Sequence, residues 1–290
     1  MLAGMDVAIA EERILILADH VTEEVARAKG WAHRTQAFGA MVKMAGLLGR
    51  PKDEDYELVY AEKRLEPFWR ITVHAISRYE RAAAYPIQLR PEVKAVTIDG
   101  QDRPLSDHRI VLAGQESCEE ETRREVLVDG LSGAEGGKLG ACLDFPAAEA
   151  DSALLASLAA SHIVVVPPHV KASGLVRDAV ARAIGKIEAD RILEERVELE
   201  VVDLYYRPVY AFRYRRAGKE AVIEVDALTG EVSTAGSTFE QHLGKILEPK
   251  FLLELGSEAA NIFIPGANVA RIALVKGLEL REQRAAARER

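Results

Sequence analysis

Seven histidines (His20, His33, His74, His108, His162, His169 and His242) and two cysteines (Cys118 and Cys142) are the side chains of this 290-residue chain best suited to hold a metal or move a proton. Their spacing builds no recognisable site. No His-Glu-x-x-His pair occurs and no two histidines stand four apart, so no helix face offers paired metal ligands. His162 and His169 flank the apolar stretch Val164–Val166, and opposite ends of a strand do not converge on one ion. Asp19-His20 and Asp107-His108 are sequence neighbours, which places their side chains on different faces. The loop Gly133-Ala-Glu-Gly-Gly-Lys-Leu-Gly is one residue short of a phosphate-binding loop, and Leu139 replaces the hydroxyl that would reach magnesium. No Gly-x-Ser-x-Gly elbow is present. The expectation is no catalytic residue, no metal site and no cofactor.

Composition narrows the class further. With 46 acidic and 38 basic side chains the net charge is −8, which argues against a general nucleic-acid binder. A 48% hydrophobic fraction is that of a globular chain, and two cysteines cannot make a disulfide framework. Asp6, Glu11 and Glu12 interrupt any apolar leader core, so a cytoplasmic protein is expected. The apolar stretch 259–280 contains Asn261, Pro265, Gly266, Asn268, Arg271 and Lys276, which rejects a transmembrane helix and leaves contact with a membrane surface as an alternative.

The elements that would position any site follow from periodicity. Residues Glu11 to Lys29 have helical spacing with Gly30 as the stop, giving an N-terminal helix in segment 1–35. Segment 36–100 reads as a first helix–meander unit: an apolar run Phe38–Leu48, then strands at 56–61, 68–76 and 83–89 punctuated by Pro67. Segment 101–173 is a linking α/β stretch, with short strands at 108–113 and 124–129 separated by Cys118-Glu-Glu-Glu, a helix capped by Asp151, and a buried strand ending at two prolines. Segment 174–236 repeats the first order, with a helix at 175–187, strands at 198–206, 209–215 and 221–226, and a turn at Thr229-Gly230. Segment 237–290 reads as C-terminal helices, at 239–247, 251–257 and 269–280. Glu66-Pro67-Phe68-Trp69 matches Arg207-Pro208-Val209-Tyr210, each proline read as the edge or bulge where one strand gives way to the next. The fold class expected is therefore α+β: two helix-plus-antiparallel-sheet units in tandem with a C-terminal helical segment.

Pro208-Val209-Tyr210, Gly218 and Val225-Asp-Ala-Leu-Thr-Gly-Glu-Val232 resemble the PepSY domain family over about residues 174–233. A weaker second copy covers about 36–100, with Pro67-Phe68-Trp69 but no Asp-x-x-Thr-Gly; Ile98-Asp99-Gly100 is its nearest turn. The resemblance implies a helix packed on a small antiparallel sheet, used as a binding or inhibitory module. The function expected is a non-enzymatic protein-binding or self-assembling module, with a protein partner or second copy held through sheet edges and the C-terminal helices. Phe68, Trp69, Tyr206, Tyr210, Phe239 and Phe251 are the candidate interaction residues. Two alternatives stand beside it: a hydrolase-type enzyme with a cleft between the units, where Trp69 and Tyr210 would meet His108 or His169, and a peripheral membrane-surface protein.

Overall fold

The computed structural model describes residues 5–38, 52–234 and the backbone of 271–275. In chain order the elements are β1 (Asp6–Ala10), β2 (Glu12–Leu17), α1 (Glu23–Ala37), a 3-10 turn (Asp53–Asp55), β3 (Glu57–Gln88), β4 (Val96–Ile98), β5 (Gln101–Arg103) and β6 (Arg109–Asp129). Then follow α2 (Leu139–Cys142), β7 (Ala147–Ala150), α3 (Ser152–Ala160), β8 (Ile163–Val165), α4 (Ala172–Ile184), β9 (Arg191–Arg216), β10 (Lys219–Asp226), β11 (Val232–Ser233) and β12 (Arg271–Val275). β4 and β5 form a small hairpin of their own, and the other ten strands make one mixed sheet.

The sheet is organised by β3 and β9, which pair antiparallel from Glu57↔Arg215 to Glu80↔Arg191. Beyond β3 lie β8, parallel at Lys63–Leu65, and β6, antiparallel from Phe68 onward. Beyond β9 lie β1 and β2, parallel along Arg196–Leu199 and Val202–Tyr206, and then β10, antiparallel along Val209–Arg216. Strand alternation sorts the side chains. One face carries Trp69, Ile71 and Val73 with Leu199, Val202, Leu204 and Tyr206, buried against Val176, Ala179 and Val180 of α4. Further along, Tyr210, Phe212 and Tyr214 pack with Ile223 and Val225 beneath α1. The other face buries Phe68 and Tyr205, stacked at 5.1 Å between ring centroids, with Leu17, Leu139, Cys142 and Leu228.

This architecture corrects the expected one. The chain is predominantly β, and the two stretches read as tandem helix–sheet units are not separate bodies. Their long strands are each other's neighbours, with Pro67 opposite Tyr206 and Leu65 opposite Pro208. The described strands of segment 36–100 are β3 and β4, the latter in its hairpin with β5, and β3 lies beside β9 in one sheet. Strands expected at 56–61, 68–76 and 83–89 are one continuous strand, as are those at 198–206 and 209–215 and the pair on either side of Cys118-Glu-Glu-Glu. The N-terminal helix is also corrected: Arg13-Ile-Leu-Ile-Leu is strand β2, because a short, densely apolar run suits a strand buried in a sheet. Helix α1 starts at Glu23, after Thr22, whose Oγ1 accepts the Val25 N–H at 3.4 Å. In the last segment, Arg271–Val275 is a strand parallel to β1 rather than part of a helix; the runs at 239–247 and 251–257 lie outside the described residues, as does 39–48. The helix at 152–160 is capped by Asp151 as expected, and β8, α4 and β10 fall where the sequence places them to within a few residues. Among the described residues no helix is long and apolar enough to cross a membrane.

Neither proline ends its strand, and the hydrogen bonds explain why. Proline brings no N–H to a ladder, so the carbonyl facing it must be satisfied from elsewhere. Gly130 N donates to Pro67 O at 2.9 Å, while Gly130 O accepts from His169 N and Val170 N, just before α4. Ala227 N donates to Pro208 O at 3.0 Å, while Ala227 O accepts from His20 N and Val21 N, just before α1. Each missing ladder donor is replaced by a pair of loop donors leading into a helix.

Gly30 lies inside α1 and does not terminate it. A Cβ there would stand 2.8 Å from Phe212 Cδ2, a ring held within the core, so the helix approaches the sheet as closely as it does only because that atom is missing. Gly30→Val is expected to cost about 1–3 kcal/mol by overpacking, although valine is the better helix former. Urea denaturation measures it; an unchanged or raised stability would show that α1 does not depend on this close approach.

Candidate functional site

The sheet face opposite the two long helices carries charge in its interior. Even-numbered residues of β3 alternate onto it with Asp203 and Arg207 of β9 and Glu224 and Asp226 of β10. Arg64, fully buried, pairs with Glu224 and lies 3.5 Å from both Glu62 and Glu66. Arg207 donates to Glu66 at 2.8 Å and reaches Asp226 at 3.5 Å. Arg13 clamps the buried Asp203 with two bonds, 2.8 and 2.7 Å. Burial pushes the Glu66 carboxyl above the usual range against the opposing pull of Arg207 and Arg64. Desolvation disfavours the Arg207 guanidinium, yet Glu66 and Asp226 outweigh it and hold its pKa above the ordinary value. Cys142 lies near this network, and burial pushes its thiol up, away from nucleophilic chemistry. Each guanidinium here meets a carboxylate, which is the arrangement of a structural ion network rather than of a general acid–base pair.

A second cluster sits further along the same face. The register of β3 on β9 shifts between Thr72↔Val201 and Val73↔Leu199, leaving Glu200 as an extra residue in β9. His74 is directly opposite Glu198 and beside Glu200. Its Nδ1 lies 3.9 Å from Glu198 Oε2 and 3.8 Å from Glu200 Oε1, and its Nε2 is 2.7 Å from Oε1 of Glu121 on β6. Arg123 donates to Glu200 Oε2 at 2.9 Å and Arg196 to Glu198 Oε1. Side-chain donor atoms of His74, Glu198 and Glu200 all fall within 4.8 Å of one another.

The candidate interaction residues are placed as follows. Phe68, Trp69, Tyr206 and Tyr210 are buried, in three different apolar clusters. Trp69 donates its indole N–H to Val170 O at 2.8 Å, and Tyr210 donates to Asp19 at 2.9 Å. Phe239 and Phe251 lie outside the described residues. Trp69 and Tyr210 are buried in separate apolar clusters; His108 sits in the turn at the far end of β6, while His169 donates its backbone N–H to Gly130.

The turn that carries the PepSY resemblance is held by its aspartate: Asp226 Oδ1 accepts from Leu228 N and Thr229 N, and Gly230 closes the turn at φ 71°. A turn of the same design lies in the first half of the chain. Asp129 Oδ1 accepts from Leu131 N and Ser132 N, and Gly133 closes at φ 75°. Val128-Asp-Gly-Leu-Ser-Gly133 set against Val225-Asp-Ala-Leu-Thr-Gly230 is the signal that would have found it, in place of Ile98-Asp99-Gly100. For the histidine cluster, Glu198-Leu-Glu200 at strand spacing was the one readable hint; its partner His74 is remote in sequence. No family model, curated protein or solved structure matches this chain.

The Glu66 environment has a testable pH consequence. Its carboxyl is raised in the folded chain, so the folded state binds that proton more tightly than the unfolded one. The associated stability is complete below the ordinary carboxylate value and is lost as pH rises through the raised value. The difference in thermal midpoint, Glu66→Gln minus wild type, is therefore expected to increase with pH across that window. A difference flat in pH would contradict the assignment.

Proposed function

We propose that the chain is a non-enzymatic, self-assembling module that pairs with a second copy of itself through the free edge of β6. One feature carries the reading. β9 stops supporting β3 at Glu80↔Arg191, while β3 and β6 continue together to Gln88↔Arg109 as a two-stranded ribbon. About eight residues at roughly 3.3 Å each make it about 26 Å long. A two-stranded ribbon is marginal in water by itself and gains from a further strand.

The ladder's parity says which groups face outward. Gly130 N bonds to Pro67 O, so even-numbered residues of β6 bond to β3. The odd-numbered residues, Val111, Ala113 and Gln115 among them, direct their N–H and C=O away, and β6 has no ladder partner besides β3 among the described residues. The opposite edge of the ribbon is blunted by Pro86. Along β6 the stretch from Glu116 to Glu125 is dense in charge, as protected edges are, but Ile110–Gln115 carries none, and Val111 is 60% exposed. Antiparallel self-pairing centred on Gly114 sets Arg109 opposite Glu119 in both directions around an uncharged, small-residue middle. A two-fold contact of this kind closes on itself and stops at a dimer. The helix followed by two antiparallel strands at α4, β9 and β10 fits the binding-module role that the PepSY resemblance implies.

Light scattering on the purified full chain tests the reading. A dimer is expected, converted to monomer by Ala113→Pro and by Val111→Lys with the far-ultraviolet circular dichroism unchanged. A monomeric wild type, or a dimer indifferent to both substitutions, would exclude pairing through this edge.

A further inference from the structure

We infer that His74, Glu198 and Glu200 form a binding site for one divalent first-row transition-metal ion at the β9 bulge, independent of any self-assembly through β6. The donor set is one imidazole and two carboxylates, the mixture that zinc, manganese and ferrous ions accept. The bulge supplies the geometry. On a regular strand Glu198 and Glu200 would be spaced along one face; with the extra residue in β9 both approach the one histidine opposite.

The surrounding groups orient the donors toward a common point. Glu121 accepts from His74 Nε2–H at 2.7 Å, which leaves Nδ1 as the ring nitrogen nearest the two carboxylates. A carboxylate holding the far side of a histidine ring is the outer partner that metal-binding imidazoles ordinarily have. The two arginines act in the same way on the carboxylates. Each takes one oxygen, Oε1 of Glu198 and Oε2 of Glu200, so that the other oxygen faces Nδ1 at 3.9 and 3.8 Å. Ligands about 2.1 Å from a tetrahedral ion stand about 3.4 Å apart; the two Nδ1–carboxylate distances exceed this by about half an ångström, and all three donor atoms lie within 4.8 Å of one another.

Charge supports the same occupant. The side chains of Glu198 and Glu200 are 8% and 7% exposed, whereas those of Arg196 and Arg123 are 51% and 63% exposed and so largely screened by water. The least solvated members of the cluster are thus two carboxylates beside an imidazole, and a divalent cation between them adds to the compensation that Arg196 and Arg123 supply. Three protein ligands leave a coordination position for water. The ion would join β3 to β9 just before the ribbon leaves the sheet, with β6 held through Glu121.

The test uses the metal-free full chain carrying Cys118→Ser, which removes a competing thiol. Zn2+ is titrated by calorimetry and Co2+ by visible absorption. One ion per chain, a raised thermal midpoint and Co2+ ligand-field bands are expected. His74→Gln and Glu200→Gln should each abolish the bands, and Glu121→Gln should weaken binding about 10- to 100-fold. Circular dichroism confirms that each variant is folded. Absence of one-to-one binding by the unsubstituted site overturns the inference whatever the variants do, as does a folded His74→Gln chain that binds like its parent.

Discussion

The antiparallel contact between β3 and β9 is the constraint from which the other elements take their places. Each strand spends its second edge on a succession of shorter partners: β8 and then β6 beside β3, and β1, β2 and then β10 beside β9. Such a changeover leaves backbone groups facing a junction instead of a ladder, and buried backbone groups need partners. Pro67 and Pro208 stand at these junctions. A proline removes the donor that a changeover would strand, and the carbonyl opposite each one, Gly130 O or Ala227 O, is satisfied by two N–H groups entering a helix. The same contacts therefore terminate one ladder, begin the next and fix where α1 and α4 descend onto the sheet.

Both helices cover the same face, so the other must be stabilised differently. It combines the small apolar cluster around Phe68 and Tyr205 with ion pairs whose members are largely dehydrated. Buried ion pairs add little net stability, but removing one partner is costly. This network therefore acts on specificity: Arg64 and Glu66 from β3, Arg207 from β9 and Glu224 and Asp226 from β10 satisfy one another only in the observed register. A slip by one residue would turn each of these charges into the apolar layer under the helices.

The turn Asp226–Gly230, the cap Asp151 and the strands β8 and β10 were legible because their signals are local: a side chain bonded to its own turn, a capping oxygen, a short apolar run. The long strands were not. Pro67 and Pro208 read as interruptions, because nothing nearby in sequence announces the donors His20, Val21, His169 and Val170 that compensate for them. The first-half turn at Asp129 was hidden by distance, since the ribbon lies between Pro67 and that turn while Pro208 is close to Asp226. In β9 the inward residues run Val197, Leu199, Val202, Leu204; the step of three marks the bulge at Glu200 in the sequence itself. Its partner His74 could be found only once β3 was laid beside β9.

The two register shifts nearest the ribbon explain how it leaves the sheet. One lies at Thr72/Val73 and the next at Arg78/Tyr79, and bulges raise local twist. β3 and β6 cross this zone with no shift between them, so they turn together as a unit while β9 falls behind. Cross-strand pairs hold that unit on both of its faces: Arg78 with Glu119, Tyr79 with Glu120, and Arg81 and Tyr85 with Glu116. Between Glu116 and Arg109 β6 carries no charge, and the lateral support from β9 has already ended. Dense charge guards the edge from Glu116 to Glu125, mostly beside the part of β3 that β9 supports, and it is absent from Ile110 to Gln115, within the ribbon. That coincidence is what a strand meant to be paired from outside would need, because an edge protected along its whole length would leave two strands with nothing to rest on.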